Sequence, residues 1–330
     1  MGFRFAAGST LAVIAATASL GLAAACGSRT GLDVGDVASA VDGGADSPAD
    51  VRNDRSLDAL PPIDSKPLPD VNRNDCPDAS ITFIYVITAE NELFSFNPNG
   101  GNFAHIGTIA CPAPPGAAPF SMAVDRKGAA YVVFQNVDPQ TGAPLPGDGL
   151  LFRVSTATAA CIPTAYNPGQ QGITTFGMGF SSDTNGPAET LYIASDNNQP
   201  TLGAINVTTF GLRVVGAFNP PIVRAELTGT GDGRLFAFYA LDPTDSAAGS
   251  AIAQIDKTSG VVVAQSVLTQ INQGNHWAFG FWGGDFYTFT GPQGVTEVQR
   301  FRPTDNSVTS IAQLNGSIVG AGVSTCAPEN

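Results

Sequence analysis

Residues His276 to Arg302 read HWAFGFWGGDFYTFTGPQGVTEVQRFR, and this stretch is the clearest copy of a unit that the chain repeats. It predicts three strands, at Trp277–Phe281, Phe286–Phe289 and Val298–Phe301. Gly283-Gly284-Asp285 separates the first two strands and Gly291-Pro292-Gln293-Gly294 the second two, as tight antiparallel connections require. The stretch therefore predicts an antiparallel sheet of short, hairpin-connected strands.

The same unit recurs about every fifty residues after Cys76. Its first strand has a small residue between larger ones, at Ala123, Gly179, Gly229, Gly280 and Gly322. Its second strand has an aromatic second residue, at Tyr85, Tyr131, Tyr192, Phe236 and Tyr287. A third strand has two apolar residues three apart followed by a polar one, and a weaker fourth strand follows, for example Val261–Val267.

Four strands repeated at this period indicate the blades of a β-propeller. The small residues fit a first strand close to the central axis, where neighbouring blades crowd together. The chain opens with a second strand at Ile81–Thr88 and closes with a first strand at Ser317–Ser324, so these two are expected to complete one blade and close the ring. We predict an all-β propeller of five four-stranded blades. Six blades, one of them degenerate, is the alternative, and a β-sandwich would make the five-fold register a coincidence.

One short stretch of the sequence resembles known proteins. Ile255-Asp256-Lys257-Thr258-Ser259-Gly260 resembles a frequent third-strand ending in bacterial propellers of the NHL, YVTN and kelch-like kinds. The resemblance covers the chain from Cys76 to its end, and the chain is similar to exported lipoproteins of Gram-negative envelopes. It implies the propeller fold and brings no catalytic motif with it.

Residues 1–75 differ in composition from the repeat region that follows them. Residues 1–25 carry one early charge, Arg4, and an apolar run, which indicates a signal peptide. The run ends in Leu22-Ala23-Ala24-Ala25-Cys26-Gly27, which resembles a lipobox with Cys26 as the lipidated residue. A plain secretory signal is the alternative. Gly27 implies sorting to the outer membrane.

Residues 26–75 are rich in Asp, Ala, Gly, Ser and Pro, so we expect a lipidated cysteine followed by a disordered tether. Asp70–Asp75 superficially resembles a calcium loop, but Asp75 occupies the position of its glycine and Ile81 that of its glutamate. A solvated linker is the preferred interpretation, and no metal is expected. The propeller domain is predicted to span 76–330.

Four cysteines remain after Cys26, an even number that favours disulfides in an exported domain. Three pairings are possible. The ring favours Cys76 with Cys326, because both lie at the closing blade, and Cys111 then pairs with Cys161 at the fourth-strand ends of neighbouring blades.

Charge and motif content narrow the function classes. The net charge of −13 argues against nucleic acid as a partner. The two histidines, His105 and His276, are far apart in sequence, so a histidine-rich zinc centre is not expected. The sequence has no recognisable nucleophile or phosphate-binding motif, and we expect no cofactor and a monomer.

The candidate site lies on the face of the fourth-to-first and second-to-third strand loops, whose longer members are Gln135–Gly149, Ile162–Thr175, Ser195–Thr201 and Asp242–Ser250. Glu226 takes a position that is apolar in the other four first strands, and Arg224, His276 and Trp277 are expected near it. Such a group could bind a cationic or sugar ligand, or Glu226 could act as a general acid if burial raised its pKa. A structural role for Glu226, paired with Arg224 or bonded to nearby backbone, is the alternative that we favour.

These observations favour a lipid-anchored binding or scaffold module of the cell envelope, with a protein, peptide or glycan partner on the loop face. The competing hypothesis is a glycan hydrolase or lyase that uses Glu226. Glycoside hydrolysis needs two carboxyl groups facing one cavity, and Glu226 alone occupies such a position, which counts against an enzyme.

Overall fold

The computed structural model describes residues 57–64, 66, 76, 82–183, 188–196, 200–245, 248–291 and 294–330. The predicted signal peptide, Cys26 and the calcium-like stretch 70–75 lie outside these ranges. Within the ranges, no helix has the length and apolar character needed to cross a membrane.

In the described residues, twenty strands form five antiparallel four-stranded sheets, the blades of a β-propeller. From the inside outward, blade 1 is β20 (Ile318–Val323), β1 (Ile84–Thr88), β2 (Glu92–Asn97) and β3 (Asn102–Thr108). Blade 2 is β4 (Ala118–Val124), β5 (Ala129–Gln135), β6 (Leu151–Ser155) and β7 (Cys161–Pro163). Blade 3 is β8 (Phe176–Ser182), β9 (Glu189–Ser195), β10 (Thr201–Ile205) and β11 (Leu212–Ala217).

Blade 4 is β12 (Glu226–Gly229), β13 (Leu235–Ala240), β14 (Ser250–Ile255) and β15 (Val262–Leu268). Blade 5 is β16 (Trp277–Trp282), β17 (Asp285–Thr290), β18 (Val295–Arg302) and β19 (Ser307–Asn315). The five inner strands contact one another in sequence around the axis. The predicted five-bladed propeller is confirmed.

The ring closes as the sequence predicts. The last strand, β20, pairs antiparallel with the first, β1, with Ile84 opposite Val323 and Val86 opposite Ala321. The Cys76–Cys326 disulfide joins the chain at this closing blade, with a Cα–Cα distance of 5.4 Å. The second predicted disulfide, Cys111–Cys161, links the outer-strand regions of blades 1 and 2.

Glycines let the inner strands approach closely. A Cβ atom added at Gly179 would lie 2.7 Å from the Leu227 backbone carbonyl carbon of the next blade, and one added at Gly322 would lie 2.7 Å from the Val124 amide nitrogen. Backbone therefore packs on backbone around the axis. The middle of the central channel, between β4, β8, β12 and β20, has no room for a water molecule.

Aromatic residues fill the spaces between blades. Phe236 of blade 4 packs against Phe281 and Phe286 of blade 5, and all three are at most 2% exposed. The aromatic group around Trp277 is thus largely core packing, and Trp282 donates its Nε1 hydrogen to the Thr82 carbonyl at 2.7 Å.

One part of the predicted tether differs from expectation. Leu57–Asp64, which begins with a 3₁₀ turn at Leu57–Ala59, lies against the outer edge of blade 4 with Ile63 buried. The reason is that Leu57, Leu60 and Ile63 bring apolar surface to an otherwise polar and proline-rich segment. We call this stretch the clasp.

Candidate functional site

A cavity of about 330 Å³ opens at the end of the propeller where the inner strands begin. We call it the mouth pocket. Its wall is formed by the starts of β4, β12, β16 and β20 together with the loop that follows β5. Its lining residues are Ala89, Gly116, Ala118, Pro119, Phe120, Gln135, Asn136, Val137, Glu226, Asn275, His276, Trp277 and Val319. The size is within the range of small-ligand sites.

Glu226 lies at the inner end of this pocket and is 4% exposed. The Ser121 hydroxyl, from the inner strand of blade 2, donates to Glu226 Oε2 at 2.7 Å, and the Met178 amide donates to Ser121 Oγ at 3.2 Å. Burial raises the pKa of Glu226 well above its ordinary value, against the opposing effect of the Ser121 hydrogen bond. Burial therefore favours the protonated form of Glu226 more than water does, and a hydrogen bond from the Met178 backbone amide adds to the opposing effect of Ser121.

Arg224 does not pair with Glu226, which corrects one of the two structural roles expected from the sequence. Its guanidinium instead lies over the Trp277 ring, 4.0 Å from the ring centroid, and donates through Nη2 to the Gly274 carbonyl at 3.2 Å. Arg224 also has a φ of 54°, in the left-handed region that a residue with a Cβ rarely adopts. The stacking holds the indole in place at the rim of the pocket.

Trp277 is half-buried, and its Nε1 has no hydrogen-bond partner in the described part of the chain. A buried indole N–H without a partner carries a desolvation cost. Trp277 lines the pocket, but its N–H is not exposed to the cavity in this structure.

His276 precedes β16 and presses against Gly291, where an added Cβ would lie only 1.7 Å from the imidazole Nε2. That nitrogen is also buried and without a partner among the described residues. Burial lowers the pKa of His276, and the charge of Glu90 opposes this effect. The imidazole is consequently neutral at neutral pH.

The structure brings Glu226, His276 and Trp277 together in one pocket wall, and places Arg224 on the Trp277 ring outside that lining. Sequence reasoning missed the polar lining residues Gln135, Asn136 and Asn275. Asn136 is fixed by its own contacts: its backbone amide donates to Asp148 Oδ1 at 2.9 Å, and its Nδ2 donates to the Pro146 carbonyl at 2.7 Å. The available signal was the long loop Gln135–Gly149, whose first residues reach the pocket.

The chemical capacity of the pocket follows from these groups. Of its lining residues, Glu226 is the one carboxyl group, so the lining lacks the acid pair that glycoside hydrolysis uses. The lining combines apolar walls, amide groups and two titratable side chains, Glu226 and His276, whose charged forms are both disfavoured by burial. Such a lining is suited to holding an uncharged group by packing and hydrogen bonds.

No protein-family model matches the chain, and no curated protein sequence matches it. Among solved structures, a chain of the crystal structure of a nidogen/laminin complex aligns with a TM-score of 0.46 and 9% identity, over 73% of this chain and 97% of that chain. The crystal structure of TolB from Acinetobacter baumannii aligns with a TM-score of 0.40 and 14% identity, over 74% of this chain and 56% of that chain. The chain therefore spans little more than half of the TolB chain, and the five blades are assigned from its own strand pairing.

Proposed function

We propose that this propeller is a binding module of the bacterial cell envelope that receives a protein, peptide or glycan partner at its loop face. The observation that carries the proposal is the mouth pocket, an open cavity of about 330 Å³ at the end of the propeller where the inner strands begin. A cavity of this size can receive a side chain or a sugar ring of a partner.

The pocket favours an uncharged part of the partner. Burial disfavours the charged forms of Glu226 and His276, and Arg224 is engaged with the Trp277 ring and the Gly274 carbonyl. A charged group would lose its hydration on entering this largely apolar lining. A hydroxyl, amide or ring-bearing group would instead pack against the apolar wall and reach the polar lining residues.

The proposal also includes the cellular location of the protein. Lipidation at Cys26 and sorting to the outer membrane rest on the signal sequence, and the two disulfides support folding in an oxidising compartment. A mass spectrum of the mature chain tests the anchor: an N-terminal diacylglyceryl cysteine at Cys26 is expected. A mature chain that retains an unmodified Cys26 would contradict it.

Partner binding at the pocket is tested by replacing Ala118, on the pocket wall, with a photoreactive phenylalanine in the native envelope. The control places the same group at Ala157, which is exposed in the turn between β6 and β7. Irradiation should give a discrete covalent adduct from position 118 that position 157 does not give. Identical adduct patterns at the two positions, or none at position 118, would refute binding at the mouth pocket.

The second candidate is a glycan hydrolase or lyase with Glu226 as general acid. One observation favours it: burial raises the pKa of Glu226 well above its ordinary value, in the direction that a general acid needs. Digestion of envelope glycans by the native chain, abolished by Glu226→Gln, would establish this activity. Equal product release by the two chains would exclude Glu226 from any cleavage.

A further inference from the structure

The clasp forms specific contacts with the outer strand of blade 4. The Gln265 amide of β15 donates to the Pro61 carbonyl at 2.8 Å, and the Ile63 amide donates to Ser266 Oγ at 3.4 Å. Ile63 is 4% exposed and packs in the apolar cluster shared by blades 4 and 5. The contacts therefore combine edge hydrogen bonds with an apolar anchor, as in the binding of an extended peptide to a sheet edge.

The end of the clasp is held by a buried cation. Arg234, in the turn between β12 and β13, donates from Nη1 to the Asp64 carbonyl at 2.9 Å. Asp232 orients the same guanidinium through a 2.7 Å ion pair, and the Phe236 ring centroid lies 5.4 Å from it. Arg234 is 5% exposed with the clasp in place, and its contacts with Asp232 and Phe236 come from blade 4 itself.

The burial of β15 sets it apart from the other outer strands. Five of its seven residues are buried, whereas β3, β7 and β19 have no buried residue and β11 has one. The amino-acid sequence of β15, VVAQSVL, is correspondingly apolar. An outer strand of this composition would be an exposed apolar edge, prone to aggregation, if nothing covered it.

We propose that the outer edge of blade 4 is a peptide-binding site and that Leu57–Asp64 is its resident ligand. The ligand class is an extended apolar segment that contains proline. Pro61 and Pro62 favour an extended backbone and have no N–H that would need a partner. Leu60 and Ile63 supply the apolar side chains.

Hydrogen exchange of the Gln265 amide in the full-length chain tests the proposal, because this amide donates to Pro61. Ile63→Asp places a carboxylate in the apolar cluster and should release the clasp, so Gln265 should exchange at least about tenfold faster than in the native chain. Ala59→Asp is the matched control, since Ala59 is exposed in the same segment. It should leave the Gln265 exchange rate unchanged.

A second variant separates clasp release from loss of the fold. Replacing residues 57–64 by glycine and serine of equal length removes the ligand without placing a charge in the core. Gln265 should then exchange faster while the Ala237 amide, inside blade 4, keeps its protection. Equal Gln265 exchange in the native chain and this replacement would overturn the proposal. So would faster exchange of Gln265 and Ala237 to the same extent.

Discussion

At the scale of the residue, Glu226 shows how a carboxyl group can be kept inside a propeller. Its position opens onto the mouth pocket, but its carboxyl is removed from water and contacts the Ser121 hydroxyl. Burial disfavours the charged form, and the hydrogen bonds from the Ser121 hydroxyl and the Met178 amide oppose this effect without cancelling it. The folded chain therefore holds the Glu226 proton more tightly than the unfolded chain, and the cost of burying this side chain grows as the pH rises above its ordinary pKa.

This cost predicts a pH-dependent stability difference between the native chain and Glu226→Gln. The unfolded chain releases the Glu226 proton near its ordinary pKa of 4.5, whereas the folded chain retains it. Above that pH the native chain should lose up to about 1.4 kcal/mol of unfolding free energy per pH unit relative to the variant, until the folded acid ionises. Urea unfolding from about pH 4 to about pH 8 measures the difference. Parallel profiles for the two chains would show that Glu226 is ionised in the fold.

Part of the site could be predicted residue by residue. Glu226 was found because it breaks a repeat, and Trp277 and His276 because they lie at the equivalent strand start. The partner of Arg224 could not be predicted, because its backbone turns into the left-handed region and carries the guanidinium to Trp277. The partnership of Glu226 with Ser121 joins residues 105 positions apart and has no local signature.

At the scale of the element, the polar residue that ends the third strand has a local explanation in blades 1 to 4, whereas in blade 5 this residue is Arg302, which donates to Asp285 instead. Asp256 Oδ1 accepts hydrogen bonds from the Thr258 amide at 2.8 Å and from the Thr258 hydroxyl at 2.6 Å. Asn206 Oδ1 accepts from the Thr208 and Thr209 amides, both at 2.9 Å. These side chains cap the turn toward the outer strand, which is why the turn recurs with Asp, Asn or Ser.

The close packing of the inner strands predicts that Gly179→Ala, in β8, destabilises the fold. The new methyl group would lie 2.7 Å from the Leu227 carbonyl carbon of β12, so the two blades would have to separate. We expect a loss of about 1–3 kcal/mol in the free energy of unfolding, as for other overpacked cores. Denaturant unfolding measures the loss.

Gly211→Ala is the control for this variant. An added Cβ there would have its nearest neighbour, Thr209 Oγ1, at 3.6 Å, which is an ordinary contact. A small effect, within about 0.5 kcal/mol, is expected for this exposed position. If the two alanine variants are equally stable, the close approach of the inner strands is not a requirement of the ring.

The elements were predictable because their signals are local. Alternation, turn residues and the recurring small residue place the inner and second strands within a few positions. The clasp was not predictable from local composition, because the surrounding residues read as a tether. Its apolar residues form a packing surface only when they lie next to β15. The apolar sequence of β15 was visible, but it did not indicate which segment covers this strand.

At the scale of the whole molecule, the closure of the ring determines how the two disulfides contribute. Cys76–Cys326 closes a loop of 250 residues, whereas Cys111–Cys161 closes one of 50. Chain-entropy estimates give stabilisations of roughly 5 and roughly 4 kcal/mol, respectively. The first bond also joins the chain at the blade where β1 pairs with β20, the inner strand that contacts both β4 and β16.

We therefore expect the double variant Cys76→Ser with Cys326→Ser to lose more unfolding free energy than Cys111→Ser with Cys161→Ser. The difference should be about 1 kcal/mol from loop length alone, and larger if opening the seam frays blade 1. Urea unfolding of the two double variants measures it, and hydrogen exchange of the Val86 amide, in β1, reports on fraying. A larger loss from the Cys111–Cys161 pair would mean that β1 and β20 hold the seam without the disulfide. The ring would then owe its closure to strand pairing and to the glycine-mediated contacts of β20 with β4.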